Sequence, residues 1–191
     1  MSHTKNTVQS AGLHRNSQAG LSLLEVVISL LILLIISAGV IGLSNVALST
    51  TETQGHLAAR TTEYAQDKME QLLALKFCDS VSDTTQFPAA TSGGTGLAGC
   101  NNPGGSPPTA LSGGSLSITS PTTGYVDYLD STGQLVTSSA NWEYVRVWQI
   151  SVPSGSAGMK QISVLAQAHF TVGGKGTAPQ STVVALKSFP F

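Results

Sequence analysis

Glu25 is the only formal charge between Leu21 and Leu48. It stands five positions after Gly20 and directly before an apolar run, Val26 to Leu43. A carboxylate at the edge of such a run is costly unless it is paired, neutralised or held at an interface. The chemistry it offers is ion pairing with a nearby amine. Cys78 and Cys100, the only two cysteines, offer a disulfide. Two cysteines without nearby histidine supply too few ligands for a metal, and His3, His14, His56 and His169 have no metal-ligand spacing. Serine and threonine are abundant, but none sits in a nucleophile motif such as Gly-x-Ser-x-Gly. Gly94-x-Gly96-x-x-Gly99 formally matches a dinucleotide fingerprint. That fingerprint needs a strand before it and a helix after it. Asn101-Asn102-Pro103-Gly104-Gly105 opens no helix, so a surface loop is expected. The pattern predicts no enzyme, no cofactor, no metal site and no small-molecule substrate.

The element that must position Glu25 is a helix. Leu21 to Leu43 supplies twenty-three largely apolar residues, and a membrane-spanning helix needs about twenty. A buried core helix is the alternative, but little else in the chain is large enough to cover Leu30 to Ile36 on all sides. The first twenty residues carry Lys5 and Arg15 and no acid, which favours a cytoplasmic N-terminus. An ordinary secretory signal would place its small-residue cleavage site after the apolar run. Ser37-Ala38-Gly39 can mimic such a site, whereas a cut after Gly20 leaves the apolar helix in the mature chain.

Gly20-Leu21-Ser22-Leu23-Leu24-Glu25-Val26 resembles the class III signal of type IV prepilins and type II secretion pseudopilins. The resemblance, with the helix that follows, covers roughly residues 15–77. It implies that a prepilin peptidase cuts after Gly20 on the cytoplasmic face and methylates the new N-terminus at Leu21. Where the family usually has Phe this chain has Leu21, so the product would be N-methyl-leucine. Glu25 becomes the fifth residue of the processed chain and the assembly charge. It can pair with the new amine of its own helix, one turn away, or with that of a neighbouring subunit. An unmatched charge in low dielectric is strongly destabilising, so the second arrangement would set the axial register. The implied partners are prepilin peptidase, other pilin or pseudopilin subunits, an inner-membrane assembly platform and inner-membrane lipid. The implied localisation is the inner membrane in a single pass, then a periplasmic or extracellular filament.

Beyond the span, Ser44 to Phe77 has no proline. Leu57, Tyr64, Ala65, Met69, Leu72 and Leu73 share one helical face. One helix from Leu21 to about Leu75 is expected, on the order of 80 Å long. Gly39, Gly42 and Gly55 interrupt it. Each costs up to about 1 kcal/mol against alanine, so bending or local melting near Gly39 and Gly42 is expected, or close helix packing through small residues such as Ala38 and Gly42. Thr91 to Gly114 is rich in Gly, Ser, Pro and Thr. A Cys78–Cys100 disulfide would staple this loop to the helix end and contribute on the order of 3 kcal/mol. Two unpaired thiols are the alternative.

From Ser115 the pattern has period two. Trp142, Tyr144, Trp148, Ile150 and Val152 share a face that Arg146 breaks, which suggests an edge position or a buried stem. Ile162, Val164, Ala166, Ala168, Phe170 and Val172 form a second stripe. Thr182 to Phe189 reads as a buried strand, with shorter candidates at Leu116–Thr119, Tyr125–Leu129 and Gln134–Thr137. Asp130 to Gly133, Pro153 to Gly158 and Gly173 to Gly176 mark turns, so antiparallel pairing is expected. The Leu57–Leu75 face is the natural cover for the sheet.

The expected class is α+β: a pilin-like lollipop, with a long N-terminal transmembrane helix packed by its C-terminal half on an antiparallel β-sheet. The expected division is a leader at 1–20, the long helix at 21–77 with its span at about 21–43, a loop at 78–114 and a β head at 115–191. Charged residues are ten percent of the chain and the net charge is −1, and no basic patch suggests nucleic-acid binding. A minor pilin is the favoured function. The alternatives are a type II secretion pseudopilin, a filament-tip adhesin or DNA-binding module using the long uncharged loop or exposed aromatic residues such as Tyr125 and Tyr128, and an enzyme or sensor on an uncleaved anchor.

Overall fold

A computed structural model of the chain describes residues 22–136, 141–171 and 177–190. It divides into two compact units, Met1–Val46 and Ala47–Phe191. Gly20 and Leu21, the expected cleavage junction, lie outside the described residues. So do Thr137, Val172 and the Gly173–Gly176 turn.

One helix, α1, runs over Leu23–Ala74 and passes through both units. It is continuous at Gly39, Gly42 and Gly55, so the expected melting does not occur. The glycine penalty, about 1 kcal/mol per residue, is small beside a ladder of good helix formers on either side. In the first unit the apolar side chains are exposed all round, Leu34 at 70% and Leu43 at 74% among them. In the second unit α1 becomes one-sided and buries Leu57, Thr61, Tyr64, Ala65, Lys68, Met69 and Leu72. Leu57, Tyr64, Ala65, Met69 and Leu72 belong to the expected face. Thr61 and Lys68 complete it.

The second unit carries short strands β1 (Cys100–Asn101), β2 (Thr109–Ala110) and β3 (Gly113–Gly114). Longer strands follow: β4 (Val126–Leu129), β5 (Tyr144–Ser151), β6 (Met159–Ala168) and β7 (Gln180–Ser188). All pairings are antiparallel. The main sheet runs β3-β5-β6-β7, and β4 pairs the same edge of β5 further along. The α+β class, a long helix with an antiparallel sheet packed on its later half, is what the residues fold into.

Period-two alternation puts Tyr144, Trp148 and Ile150 of β5 with Ile162, Val164, Ala166 and Ala168 of β6 against the helix. The opposite face is also covered. Val145, Val147 and Leu165 pack under Leu116, Ile118, Val126, Tyr128 and Trp142. The segment around Leu116–Thr119 is therefore a lid on the back of the sheet and not a strand. It forms no ladder because Ser115 and Ser117 hydroxyls bind local backbone N–H groups, at 3.0 Å to Ser117 and 3.2 Å to Ser120.

Three further expectations need correction. Thr182–Phe189 is not a buried strand: β7 ends the sheet, and Val184 and Leu186 are 55% and 59% exposed. A short apolar run cannot reveal which strand lacks a neighbour. Of the Gln134–Thr137 candidate, the described residues 134–136 contribute a single bridge, Leu129 to Leu135. Of the two readings of Arg146, the edge position fails and the buried stem holds: it sits mid-sheet in β5, between β4 and β6, and is buried. The Asp130–Gly133 turn forms as expected, with Asp130 Oδ1 accepting from Thr132 N–H at 2.8 Å and Gln134 N–H at 3.0 Å.

The strand β7 is fastened to α1 along its length. Ser181 Oγ lies 3.2 Å from the Thr61 hydroxyl and 2.7 Å from that of Thr62. Lys187 Nζ donates to the Leu73 carbonyl at 2.6 Å. That carbonyl is one of the four that a helix C-terminus leaves unpaired, and a lysine is a favourable partner there.

Candidate functional sites

The first site is the start of α1. Ser22 precedes the first helical residue, and its carbonyl accepts from Glu25 N–H at 2.9 Å and Val26 N–H at 3.2 Å. Glu25 therefore lies in the first turn, with its side chain exposed. A carboxylate there faces the positive end of the helix dipole. Ser22-x-x-Glu25 is also the spacing of a capping box, a local signal that reasoning from membrane cost overlooks. Downstream, hydroxyls are turned back into the helix. Ser37 donates to the Leu33 carbonyl at 2.7 Å and Ser44 to the Val40 carbonyl at 2.8 Å. Such back-bonding hides polar groups that hydrocarbon would not tolerate. The helix contains an 18-residue window of mean hydropathy 3.0, none of it buried, so it is long and apolar enough to cross a membrane.

The second site lies at the other end of the helix. Cys78 and Cys100 are joined by a disulfide, with Cα atoms 5.0 Å apart. Asp79 organises the chain beside it. Its Oδ1 accepts from Val81 N–H at 3.1 Å and Ser82 N–H at 2.9 Å, and its Oδ2 from Ser82 Oγ at 2.8 Å. Burial acts to raise the carboxyl's pKa, but the bonds from Ser82 and Val81 outweigh it and hold the group below its ordinary value. Against this segment lies the glycine-rich stretch. Leu97 N–H and Gly99 N–H both donate to the Asp79 carbonyl, at 2.8 and 2.9 Å. A Cβ on Gly94 would stand 2.3 Å from Asp83 Cα, and one on Gly96 would stand 2.1 Å from Asp79 Oδ1. Gly96 also has φ +51°. The fingerprint-like glycines thus serve close backbone contact with residues 79–83. Leu97 and Gly99 are buried, so this part is an inner strap and not a surface loop.

Three buried or half-buried lysines fasten this region. Lys160 Nζ donates to the Leu97 carbonyl at 2.6 Å and the Gly99 carbonyl at 2.5 Å, and stands 5.1 Å from the centre of the Phe77 ring. Lys68 Nζ donates to the Thr84 carbonyl and to Gln71 Oε1. Lys187 holds the helix end. Burial pushes both Lys68 and Lys160 down to about 8, and it also lowers Lys187.

Lys68 belongs to a buried triad between helix and sheet. Its Nζ lies 2.9 Å from Asp127 Oδ2 and 4.0 Å from the Trp148 ring centre. Arg146 grips the same carboxylate in two places, Nε to Oδ1 at 2.7 Å and Nη2 to Oδ2 at 2.8 Å. Two cations and one carboxylate leave one positive charge in excess. Sequence reasoning misses Lys68 and Asp127. Two signals point to them: Lys68 falls between Tyr64 and Leu72 on the buried helix face, and Asp127 alternates between Tyr125 and Leu129.

Tyr125 and Tyr128 do not form the exposed aromatic surface expected of a binding module. Tyr125 is 7% exposed in the main core and Tyr128 packs on the back of the sheet. Both alternate with residues that also find cover, so neither face of β4 is free. His56 is exposed. His169 is exposed and stacks on Trp142 with ring centres 3.9 Å apart. Among the described residues, no group of three or more His, Cys, Asp or Glu is placed to hold a metal.

No curated protein and no solved structure shows significant similarity to the chain. One family profile does, described as the prokaryotic N-terminal methylation motif, over residues 15–41. That stretch contains Gly20, Leu21 and Glu25 and most of the apolar segment. The chain carries a type IV pilin-type signal, followed by a long apolar helix.

Proposed function

We propose that the chain is a minor pilin, a structural subunit of a type IV pilus or related filament. One observation carries this: the methylation motif at residues 15–41 runs directly into an exposed apolar helix. In this proposal residues 1–20 are a cytoplasmic leader that prepilin peptidase removes after Gly20. Leu21 becomes the N-methylated first residue. The precursor waits in the inner membrane with its N-terminus cytoplasmic. Its helix then joins other pilin subunits through the assembly platform, and the head unit faces periplasm or exterior.

Glu25 is the assembly charge in this scheme. Its exposure leaves the carboxylate available to an amine, and only a matched pair is stable in low dielectric. The same motif and helix also serve type II secretion pseudopilins, which is the second reading.

Intact mass of the membrane-extracted protein tests the proposal. A chain beginning at Leu21 with one added methyl group is expected. A chain beginning at Met1 would make it an uncleaved anchor, and one beginning near Val40 an ordinary secreted protein. Immunogold labelling of sheared filaments then separates a pilus subunit, which decorates them, from a pseudopilin, which does not.

A further inference from the structure

The main sheet treats its two edges differently. One edge is short and closed. On it β3 is two residues long, and the outer side of β4 is bonded by Val136 N–H, which donates to the Tyr128 carbonyl at 2.9 Å. The other edge is β7, nine residues long, and among the described residues no strand pairs beyond it. Phe189 N–H donates to the Gly158 carbonyl and Ala168 N–H to the Pro179 carbonyl, both at 2.9 Å. The odd-numbered residues of β7 therefore turn their backbone groups to β6, and Thr182, Val184 and Leu186 turn theirs outward. Proteins ordinarily blunt such an edge with charge, proline, a bulge or a cover. The register of β7 with β6 is unbroken from Met159↔Ser188 to Gln167↔Gln180, so there is no bulge. The nearest prolines, Pro179 and Pro190, stand outside the strand. Its one charge, Lys187, is turned inward to the Leu73 carbonyl. Thr182, Val184 and Leu186 are exposed.

A row of outward N–H and C=O groups at strand spacing has one complementary shape, another extended backbone. The side chains narrow which one. The residues of β7 that share a face with Val184, and the β6 residues paired with them, are all uncharged. A charged side chain laid beside Val184 and Leu186 would lose water without gaining a counter-ion. The incoming segment is therefore neutral on that face, and β-branched residues fit it best. A second copy of the chain does not fit. The closed edge has no long strand to give, so copies cannot add head to tail. Two β7 strands could pair antiparallel about a two-fold axis. In the head unit, however, α1 runs in the same direction as β7, since Thr61 meets Ser181 and Leu73 meets Lys187. An antiparallel pair would send the two helices toward their membrane segments in opposite directions, and copies anchored in one membrane need the same direction. A symmetric parallel pair would set N–H against N–H at each level.

We propose that the outer edge of β7 takes up an extended, uncharged segment of a different polypeptide as a further strand of the sheet. Filament membership is not required. The exclusion of a second copy rests on the membrane anchorage proposed above, which intact mass tests separately. The probe is a capped, fluorescein-labelled peptide of alternating threonine and valine, kept dilute enough to stay monomeric. Its binding to the full-length protein in detergent is read by fluorescence anisotropy. A fully N-methylated version of the peptide, equally apolar but without N–H donors, is the control. Binding of the first peptide and not of the second is expected, with slower amide hydrogen exchange at Thr182, Val184 and Leu186. Val184→Pro removes an outward N–H and leaves the bonds to β6 in place, and Leu186→Lys puts a charge on the edge. Each should weaken binding by about tenfold or more. Near-UV circular dichroism and an intact disulfide confirm that both variants are folded. No binding of the alternating peptide overturns the proposal, as does equal binding of the N-methylated one or binding that both variants leave unchanged. A dimer of the full-length protein that Val184→Pro breaks makes a second copy the occupant and equally overturns it.

Discussion

Replacing Asp127 by Asn should be the most damaging single isosteric change in the second unit. The carboxylate is 3% exposed and takes three charged contacts, one from Lys68 at 2.9 Å and two from Arg146 at 2.7 and 2.8 Å. Lys68 is fully buried and Arg146 is 6% exposed. An amide at this position would keep the shape and remove the charge, leaving two buried cations facing each other. Breaking a buried ion pair by removing one partner costs about 3–5 kcal/mol. A unit of this size has a total stability of about 5–15 kcal/mol, so a large share is lost. At about 3 °C per kcal/mol, the melting temperature should fall by about 10–15 °C. Lys68→Met tests the sign of the argument. It removes the excess cation while Arg146 keeps its two-point grip on Asp127, so it should cost less than Asp127→Asn despite the lost bond to Thr84. The assay is thermal unfolding of the full-length protein in detergent, followed by near-UV circular dichroism. Trp148, which carries the Lys68 ammonium over its ring, supplies the signal. A loss below about 1 kcal/mol for Asp127→Asn, or a larger loss for Lys68→Met, would refute the reasoning.

Four other outcomes follow from the same geometry. The paired variant Cys78→Ser/Cys100→Ser should lose about 3 kcal/mol, the chain-entropy value for a separation of 22 residues; an unchanged urea midpoint would contradict this. Stability should rise between pH 8 and pH 10. Lys68 and Lys160 have folded pKa values of about 8 against 10.5 unfolded, so the unfolded chain binds more protons in that window and the cost of burying two ammonium groups is relieved. A flat or falling urea midpoint over that range rejects the assignment, and the window stops short of the Tyr144 phenol, which burial raises. Gly96→Ala should destabilise by about 2 kcal/mol or more, through both its positive φ and the close approach of Asp79. Gly55→Ala has open space and should stabilise by up to about 1 kcal/mol; equal melting temperatures for the two alanine variants would refute this contrast. Under the filament role proposed above, Glu25→Ala should be processed normally and yet be depleted from sheared filaments relative to membranes, and normal incorporation on quantitative blotting would remove the proposed register role.

The long helix and the main strands are legible in the sequence because their periods are long and regular. Leu57, Tyr64, Ala65, Met69 and Leu72 repeat at helical spacing, and Ile162, Val164, Ala166 and Ala168 at strand spacing. What stays hidden depends on partners distant in sequence. Val145 and Val147 look like gaps in a polar face because the Leu116–Ile118 lid that covers them lies about thirty residues away and has no period of its own. Arg146 leaves an edge position and a buried stem equally open because the carboxylate that decides for burial is on another strand. Val184 and Leu186 look buried because an apolar run does not record that its strand is last in the sheet. At the sites, Glu25 stands out through charge contrast alone. Lys160 does not, because a lysine whose partners are the backbone carbonyls of Leu97 and Gly99 leaves no complementary residue to find, and Lys68 does not, because its carboxylate, Asp127, lies on a strand far along the chain.

The fastening of β7 to α1 has a consequence for the order of events in synthesis. Thr61 and Thr62 meet Ser181 across separations of 120 and 119 residues, and Lys187 reaches Leu73 across 114. The helix face at Leu57–Leu72 is therefore made early and covered late. Until β5, β6 and β7 have been made, most of that face has no native partner. Contacts of such long range pay their loop-closure entropy before they return any energy, which slows folding. The helix face is thus apolar surface that stands open through most of synthesis and is closed only when the last strand docks.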